Sequence, residues 1–159
     1  MEEGRHSPFF NMKIVIIGLL IMVDQVLKII TRHSMDLNQS IPILGDWIKI
    51  TYIENNGMAF GLLAGKQIFL IAVTFILIIA IAVAMKIYAD RFKKVFGYSC
   101  ILVIAGGLSN LFDRAVLGSV TDYIDVKYFA IFNFADICAV VGCILLGISI
   151  LFFEKKINV

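Results

Sequence analysis

The chain alternates long apolar runs with short polar stretches, and the runs are longer than the core helices of a soluble domain require. Ile68 to Met85 is uncharged over about 18 residues, enough at ~1.5 Å per helical residue to cross most of a ~30 Å hydrocarbon core. Val95 to Phe112 and Phe134 to Phe153 are of similar length. The first carries only small or mildly polar interruptions, the second Asp136 near its start. Ile14 to Val23 follows Lys13 in the manner of a signal-peptide core, but Asp24, Gln25 and Lys28 stand where a small-residue cleavage site belongs. An uncleaved first span continuing to about Arg32 fits this pattern. The reading is an α-helical membrane protein with four transmembrane helices over residues 14–32, 68–88, 95–112 and 134–153.

Four spans put both termini on one face. Arg5, Lys13, Lys86, Arg91, Lys93, Lys94, Lys155 and Lys156 flank that face, against Lys49, Lys66, Arg114 and Lys127 on the other, so the positive-inside rule predicts cytoplasmic termini. The outer loop from Ser34 to Lys66 contains Trp47-Ile-Lys-Ile-Thr-Tyr-Ile53, rich in β-branched and aromatic residues, and then Glu54-Asn-Asn-Gly57, which together read as a strand and a turn. In the second outer loop the even positions of Val120 to Val126 are apolar apart from Asp122. If that segment is extended, Asp122 shares a face with Val120, Ile124 and Val126, and Asp125 faces the opposite way, towards solvent. A small sheet on the outer surface is expected. No repeat or linker divides the chain, so residues 1–159 read as a single domain.

Composition agrees with the apolar pattern: of 159 residues 60% are hydrophobic and 16% charged, well away from the roughly even balance of soluble domains. A net charge of +2 without a basic stripe excludes a nucleic-acid partner. Cys100, Cys138 and Cys143 lie in apolar runs without CxxC spacing or a partnering histidine, so they read as small core residues, with no metal or cofactor expected. Gly106-Gly107 and the pair Cys143 and Gly147 read as small residues that let helices approach closely.

An ionisable side chain at membrane depth costs ~2.5 kcal/mol or more, so each one needs a reason to be there. Here they gather at one level. Asp24 and Lys28 fall in the outer half of the first helix, Asn110, Asp113 and Arg114 at the outer end of the third, and Asn133 and Asp136 at the start of the fourth. The i, i+3 and i+4 spacings let each group share a helical face, so three helices can converge. Asp24 and Lys28, at i, i+4, read as a mutually neutralising pair that orients its helix. Asp113 reads as a structural acceptor of loop amides. Asp136 lies in a first turn, where the helix dipole favours a carboxylate, whereas Asp122 faces apolar neighbours that would raise its pKa. Two carboxylates in such different settings can share a proton and hydrolyse a peptide. Spacing by itself leaves other readings open: solvated loop carboxylates; a structural membrane scaffold, although a scaffold has no need of acids gathered at one depth; and a small proton- or ion-coupled membrane carrier, although a carrier places its acids near the midplane on inverted repeats, and none is visible. No GxSxG motif, phosphate-cradling loop or Ser-Lys spacing offers another chemistry.

These residues also carry a likeness. Asp24-Gln-Val-Leu-Lys28, Asn55-Asn-Gly-Met-Ala-Phe60, Asn110-Leu-Phe-Asp-Arg114, Val120-Thr-Asp122 and Asn133-Phe-Ala-Asp136, in this order, resemble the motifs of bacterial lipoprotein signal peptidases (signal peptidase II) over nearly the whole chain. The resemblance implies four transmembrane helices, an extracytoplasmic β-cradle and a short extracytoplasmic helix. It implies an aspartic endopeptidase of the bacterial cytoplasmic membrane, its site towards the extracytoplasmic side, that removes signal peptides from diacylglyceryl-modified prolipoproteins. Asp122 and Asp136 would be the catalytic pair, and Asp24, Lys28, Asn55, Gly57, Asn110, Asp113, Arg114, Asn133 and Ala135 would bind substrate or support them. Membrane lipid and globomycin-type inhibitors would be partners. Ser109, where glycine is usual, and Met58, where alanine is usual, depart from the family pattern and bear on helix packing and groove shape.

Overall fold

The computed structural model describes residues 8–57, 63, 65–88 and 94–152. Arg5, Arg91, Lys93, Lys155 and Lys156 of the orientation argument, Met58 to Phe60 of the outer-loop motif and Phe153 at the end of the last predicted span lie outside them. The elements run α1 Pro8–Ser34, β1 Ser40–Leu44, β2 Ile48–Asn55, α2 Gln67–Tyr88, α3 Lys94–Val116, β3 Val120–Val126, β4 Ile131–Phe132 and α4 Phe134–Phe152. All four helices are long and apolar enough to cross a membrane.

The helices are built the opposite way round from those of a water-soluble core. On α1 the buried positions are Asp24, Lys28 and Thr31, spaced i, i+4, i+7, while Leu19, Met22, Val23, Ile29 and Ile30 are exposed. Such a helix has one polar stripe, and in lipid that stripe must face protein. The stripe meets α3, the most enclosed helix, which also packs against α2 and α4 and buries Ser99, Ser109, Asn110 and Asp113 among its apolar side chains. Close approach depends on glycine. A Cβ on Gly106 would lie 2.3 Å from the Ala135 carbonyl oxygen of α4, and one on Gly142 would lie 2.9 Å from the Ser99 carbonyl oxygen of α3. Gly107 faces Ile78 of α2. Two of the expected small contacts do not form, since Gly147 has nothing within 4 Å and Cys143 is exposed; on α4 the buried small residues are Ala135, Cys138, Gly142 and Ser149. Cys100 and Cys138 are buried as expected.

α3 runs one turn past the expected Phe112 and keeps Asp113 and Arg114 helical. Leu117 N–H closes that turn on the Asp113 carbonyl at 2.7 Å, and Gly118 then leaves the helix with φ +78°, a left-handed step that glycine takes without a Cβ penalty. Beyond it lies the outer sheet, antiparallel throughout in the order β1-β2-β3-β4. β2 and β3 are the strands read from the sequence, with Ile53 opposite Asp122 and Ile50 opposite Ile124. β1 and the two-residue β4 were not anticipated. β1 contains Pro42 and occupies an edge, where a residue without an N–H is tolerated. Among the described residues the short extracytoplasmic helix does not occur.

Candidate active site

Two carboxylates, Asp122 on β3 and Asp136 in the first turn of α4, line one cavity of about 400 Å³. Its polar end also contains Asn55 and Arg114, and its apolar flank is made by Ile137, Val140 and Val141 of α4 with Phe129 and Phe132. The two acids stand on elements that follow one another in the chain, and Asn133 between them binds both. Asn133 Nδ2 donates to Asp122 Oδ1 at 2.7 Å, and its backbone N–H donates to Asp136 Oδ2 at 3.2 Å. Asp136 N–H returns a bond to Asn133 Oδ1 at 2.9 Å. Asn133 and Asp136 thus form a reciprocal capping box, so the same bonds that start α4 also fix the Asp136 carboxylate.

Each acid has a second amide donor from another element. Asn55 Nδ2 on β2 reaches Asp122 Oδ2 at 2.8 Å, and Asn110 Nδ2 on α3 reaches Asp136 Oδ1 at 2.8 Å. Asn55 is itself set by an Asx turn, its Oδ1 accepting Gly57 N–H at 2.9 Å, while the Gly57 carbonyl accepts Arg114 Nη2 at 3.0 Å. Burial, then the charge of Asp136, pushes the Asp122 carboxyl up to about 6, against the opposing pull of the Asn55 and Asn133 hydrogen bonds and of Lys28.

Beneath the pair lies a second, closed layer centred on Lys28. Its ammonium contacts Asp24 Oδ2 at 2.7 Å and Asp113 Oδ2 at 2.8 Å, and donates to Asn110 Oδ1 at 2.8 Å. The pair expected within α1 exists, but Lys28 is shared with α3. Asp24 also joins α4, its Oδ1 accepting the Ala135 N–H at 2.9 Å, and Asp113 accepts the Thr121 N–H at 3.4 Å. All eleven residues expected at the site are thereby brought into one hydrogen-bonded assembly with the cavity. Asp125 is separate from it, but it does not simply face water, because Thr51 Oγ1 donates to its Oδ2 at 2.7 Å.

Sequence reasoning missed Gln25 and Tyr123 as participants and gave Ser109 only an effect on packing. Gln25 Nε2 donates to Asp113 Oδ1 and to Ser109 Oγ, both at 2.9 Å, and Ser109 Oγ donates to Asp24 Oδ2 at 2.7 Å. Ser109 is therefore a working member of the layer rather than only a packing change. Tyr123 brings its hydroxyl oxygen from β3 to the Phe134 N–H at 3.2 Å, satisfying an amide that a helix start leaves free. The polarity of Gln25 beside Asp24, inside an apolar run, was the available signal; nothing in the sequence marked Tyr123.

Comparison with known proteins finds the same arrangement of chain elsewhere. A family model described as signal peptidase (SPase) II matches residues 16–152. The lipoprotein signal peptidase of Clostridium acetobutylicum is 39% identical over 150 residues, 91% of this chain and 97% of its own. That of Clostridioides difficile is 41% identical over 148 residues, 90% and 97% of the two chains. Among solved structures, a bacterial membrane enzyme determined by the in meso method at 2.3 Å superposes with a TM-score of 0.83 at 34% identity, covering 90% of this chain and 89% of that one.

Proposed function

The chain belongs to the signal peptidase II family, and from that premise we propose that Asp122 and Asp136 are the catalytic pair with which it hydrolyses its substrate. It is a multi-pass membrane enzyme, an aspartic endopeptidase that removes signal peptides from prolipoproteins. The observation that carries the residue assignment is that these two acids alone among the described aspartates line the cavity, each held by two donors.

The pair shares one proton. Its ionised member takes a proton from a water molecule as the water oxygen attacks the scissile carbonyl carbon, while the protonated member gives its proton to the carbonyl oxygen. Collapse of the tetrahedral intermediate breaks the C–N bond as the proton taken from water passes to the leaving amine, and a hydroxyl of the intermediate returns its proton to the aspartate that had given one, so the pair again holds a single proton. Arg114, anchored on the Gly57 carbonyl, sits where it can align substrate backbone along the cavity. Asp24, Lys28, Asn110, Asp113, Asn133 and Ala135 hold the carriers of the acids in place.

The substrate is further read as diacylglyceryl-modified prolipoprotein, its lipid lying against the apolar flank of the cavity, and globomycin-type inhibitors are read as occupying the same place. The enzyme is read as one domain in the bacterial cytoplasmic membrane, with termini in the cytoplasm and the cavity facing outwards, as the basic flanks favour. A reporter fused after Lys94 should then read cytoplasmic and one inserted at Gly45 external; the reverse result rejects this orientation. In detergent, the purified protein should release the signal peptide from diacylglyceryl-modified prolipoprotein and leave the unmodified precursor intact, with activity unchanged by chelator. Asp122→Asn and Asp136→Asn should each lose cleavage by at least about 10³-fold, since an amide neither takes a proton from water nor shares one. Cleavage by either folded variant at the wild-type rate would refute the assignment.

A further inference from the structure

The outer sheet has a second surface that no step of hydrolysis uses. At the end of β2 and β3 opposite to Asn55 and Asp122, Trp47 is 62% exposed, Tyr128 88% and Phe129 65%. Trp47 and Tyr128 meet edge to face with ring centroids 6.4 Å apart. Lys127 Nζ lies over both rings, 5.4 Å from the centre of Trp47 and 5.2 Å from that of Tyr128. The two strand ends are tied by Lys127 N–H donating to the Trp47 carbonyl at 3.0 Å. Tyr128 takes φ 64°, a left-handed backbone uncommon for a bulky residue, and the turn that imposes it leaves the ring outside. No carboxylate lies within ion-pair distance of Lys127 among the described residues.

Exposed aromatics grouped this way mark a contact surface, and the cavity indicates which one. Phe129, next in the chain to Tyr128, borders the same cavity as Ile137, Val140 and Val141, which lie in the first two turns of the membrane-crossing α4. Val140 and Val141 are also exposed, on a helix whose outer surface is lipid. One apolar surface therefore runs from the lipid-facing side of α4 through Phe129 to Tyr128 and Trp47. That continuity would set the sheet tip at the membrane boundary. Amphipathic rings favour that depth, and a lysine stem lying on aromatic faces can keep its ammonium among headgroups.

We propose that Trp47, Lys127 and Tyr128 form a lipid-binding clamp, seated in the headgroup region of the bilayer leaflet beside the cavity mouth, with the Lys127 ammonium on a phospholipid phosphate. The occupant is bilayer phospholipid. A cation without a counterion among the described residues matches its charge, and the exposed apolar surface of α4 adjoins the patch through Phe129.

Trp47 is the only tryptophan in the chain, so its emission reports on the clamp in the full-length protein without engineering. In vesicles of phosphatidylcholine and phosphatidylglycerol, the emission should be shifted to the blue of tryptophan amide in water and resist iodide. It should be quenched more by lipids brominated high on their acyl chains than by lipids brominated near the terminal methyls. Raising the phosphatidylglycerol fraction should deepen the shift in the wild type but not in Lys127→Ala. Emission at the aqueous position with full access to iodide overturns the proposal. So does blue-shifted emission that brominated lipids leave unquenched, which would put a second copy or another protein on the patch. A phosphatidylglycerol response retained by Lys127→Ala overturns the phosphate contact.

Discussion

An ammonium with no exposed surface has three hydrogens to place, and Lys28 places them on Asp24, Asp113 and Asn110. That closed layer separates the structural aspartates from the pair at the cavity, and the separation can be measured. Asp125→Asn should leave cleavage within about two-fold of wild type, since it removes only the charge that Thr51 caps, and such surface changes cost about 0.5 kcal/mol or less. The double variant Asp122→Asn with Asp136→Asn should be no slower than either single one, because groups acting as a unit fail together. Asp122 also gives a pH signature. Its carboxyl is raised from 3.8 to about 6, so the folded protein holds a proton that the unfolded chain has released. Stability should therefore fall as pH rises from about 4 to about 6, by up to about 3 kcal/mol for this group. Thermal unfolding in detergent should show that slope reduced in Asp122→Asn; equal slopes would contradict it. The sequence made Asp122 and Asp136 visible because acids in apolar surroundings are rare. It could not reveal that Lys28 serves two helices, since the second partner depends on how α1 and α3 meet.

At the level of elements, the start of α4 is where most of the site is decided. The Asn133 and Asp136 spacing was legible, but as a shared face; its physical content is a cap, which sets a backbone as well as two side chains. β1 and β4 were illegible for the opposite reason. Five residues with a proline, and two residues alone, carry too little alternation to stand out from a loop, and they pair only because β2 and β3 are already present. The helix-to-helix contacts are sharper still. Gly106→Ala would drive a methyl group into the Ala135 carbonyl, one residue from Asp136, so α4 must shift. The expected cost is about 1–3 kcal/mol of stability together with at least about ten-fold lower cleavage. Gly147→Ala, with open space around it, should change neither. Similar losses in both variants, read by unfolding and cleavage assays, would show that α3 and α4 are not packed through Gly106.

For the whole molecule, the spans were readable because crossing a membrane is a one-dimensional demand on length and hydropathy, whereas the interior they enclose is a matter of which polar stripe meets which. That interior gives the protein a schedule. Lys28 and Asn110 are 82 residues apart, so at about 5–20 residues per second roughly 4–16 s pass between the synthesis of α1 and the arrival of its partner helix. Throughout that interval α1 waits in the membrane with Lys28 neutralised by Asp24 alone, and α2, almost wholly lipid-facing, brings it no buried polar partner. The newborn chain is consequently most exposed to quality control before its third helix emerges. A chain ended after Tyr88 should be degraded in pulse-chase with a much shorter half-life than one ended after Val116; equal lifetimes would mean that the membrane holds the unfinished α1 as safely as the finished fold does.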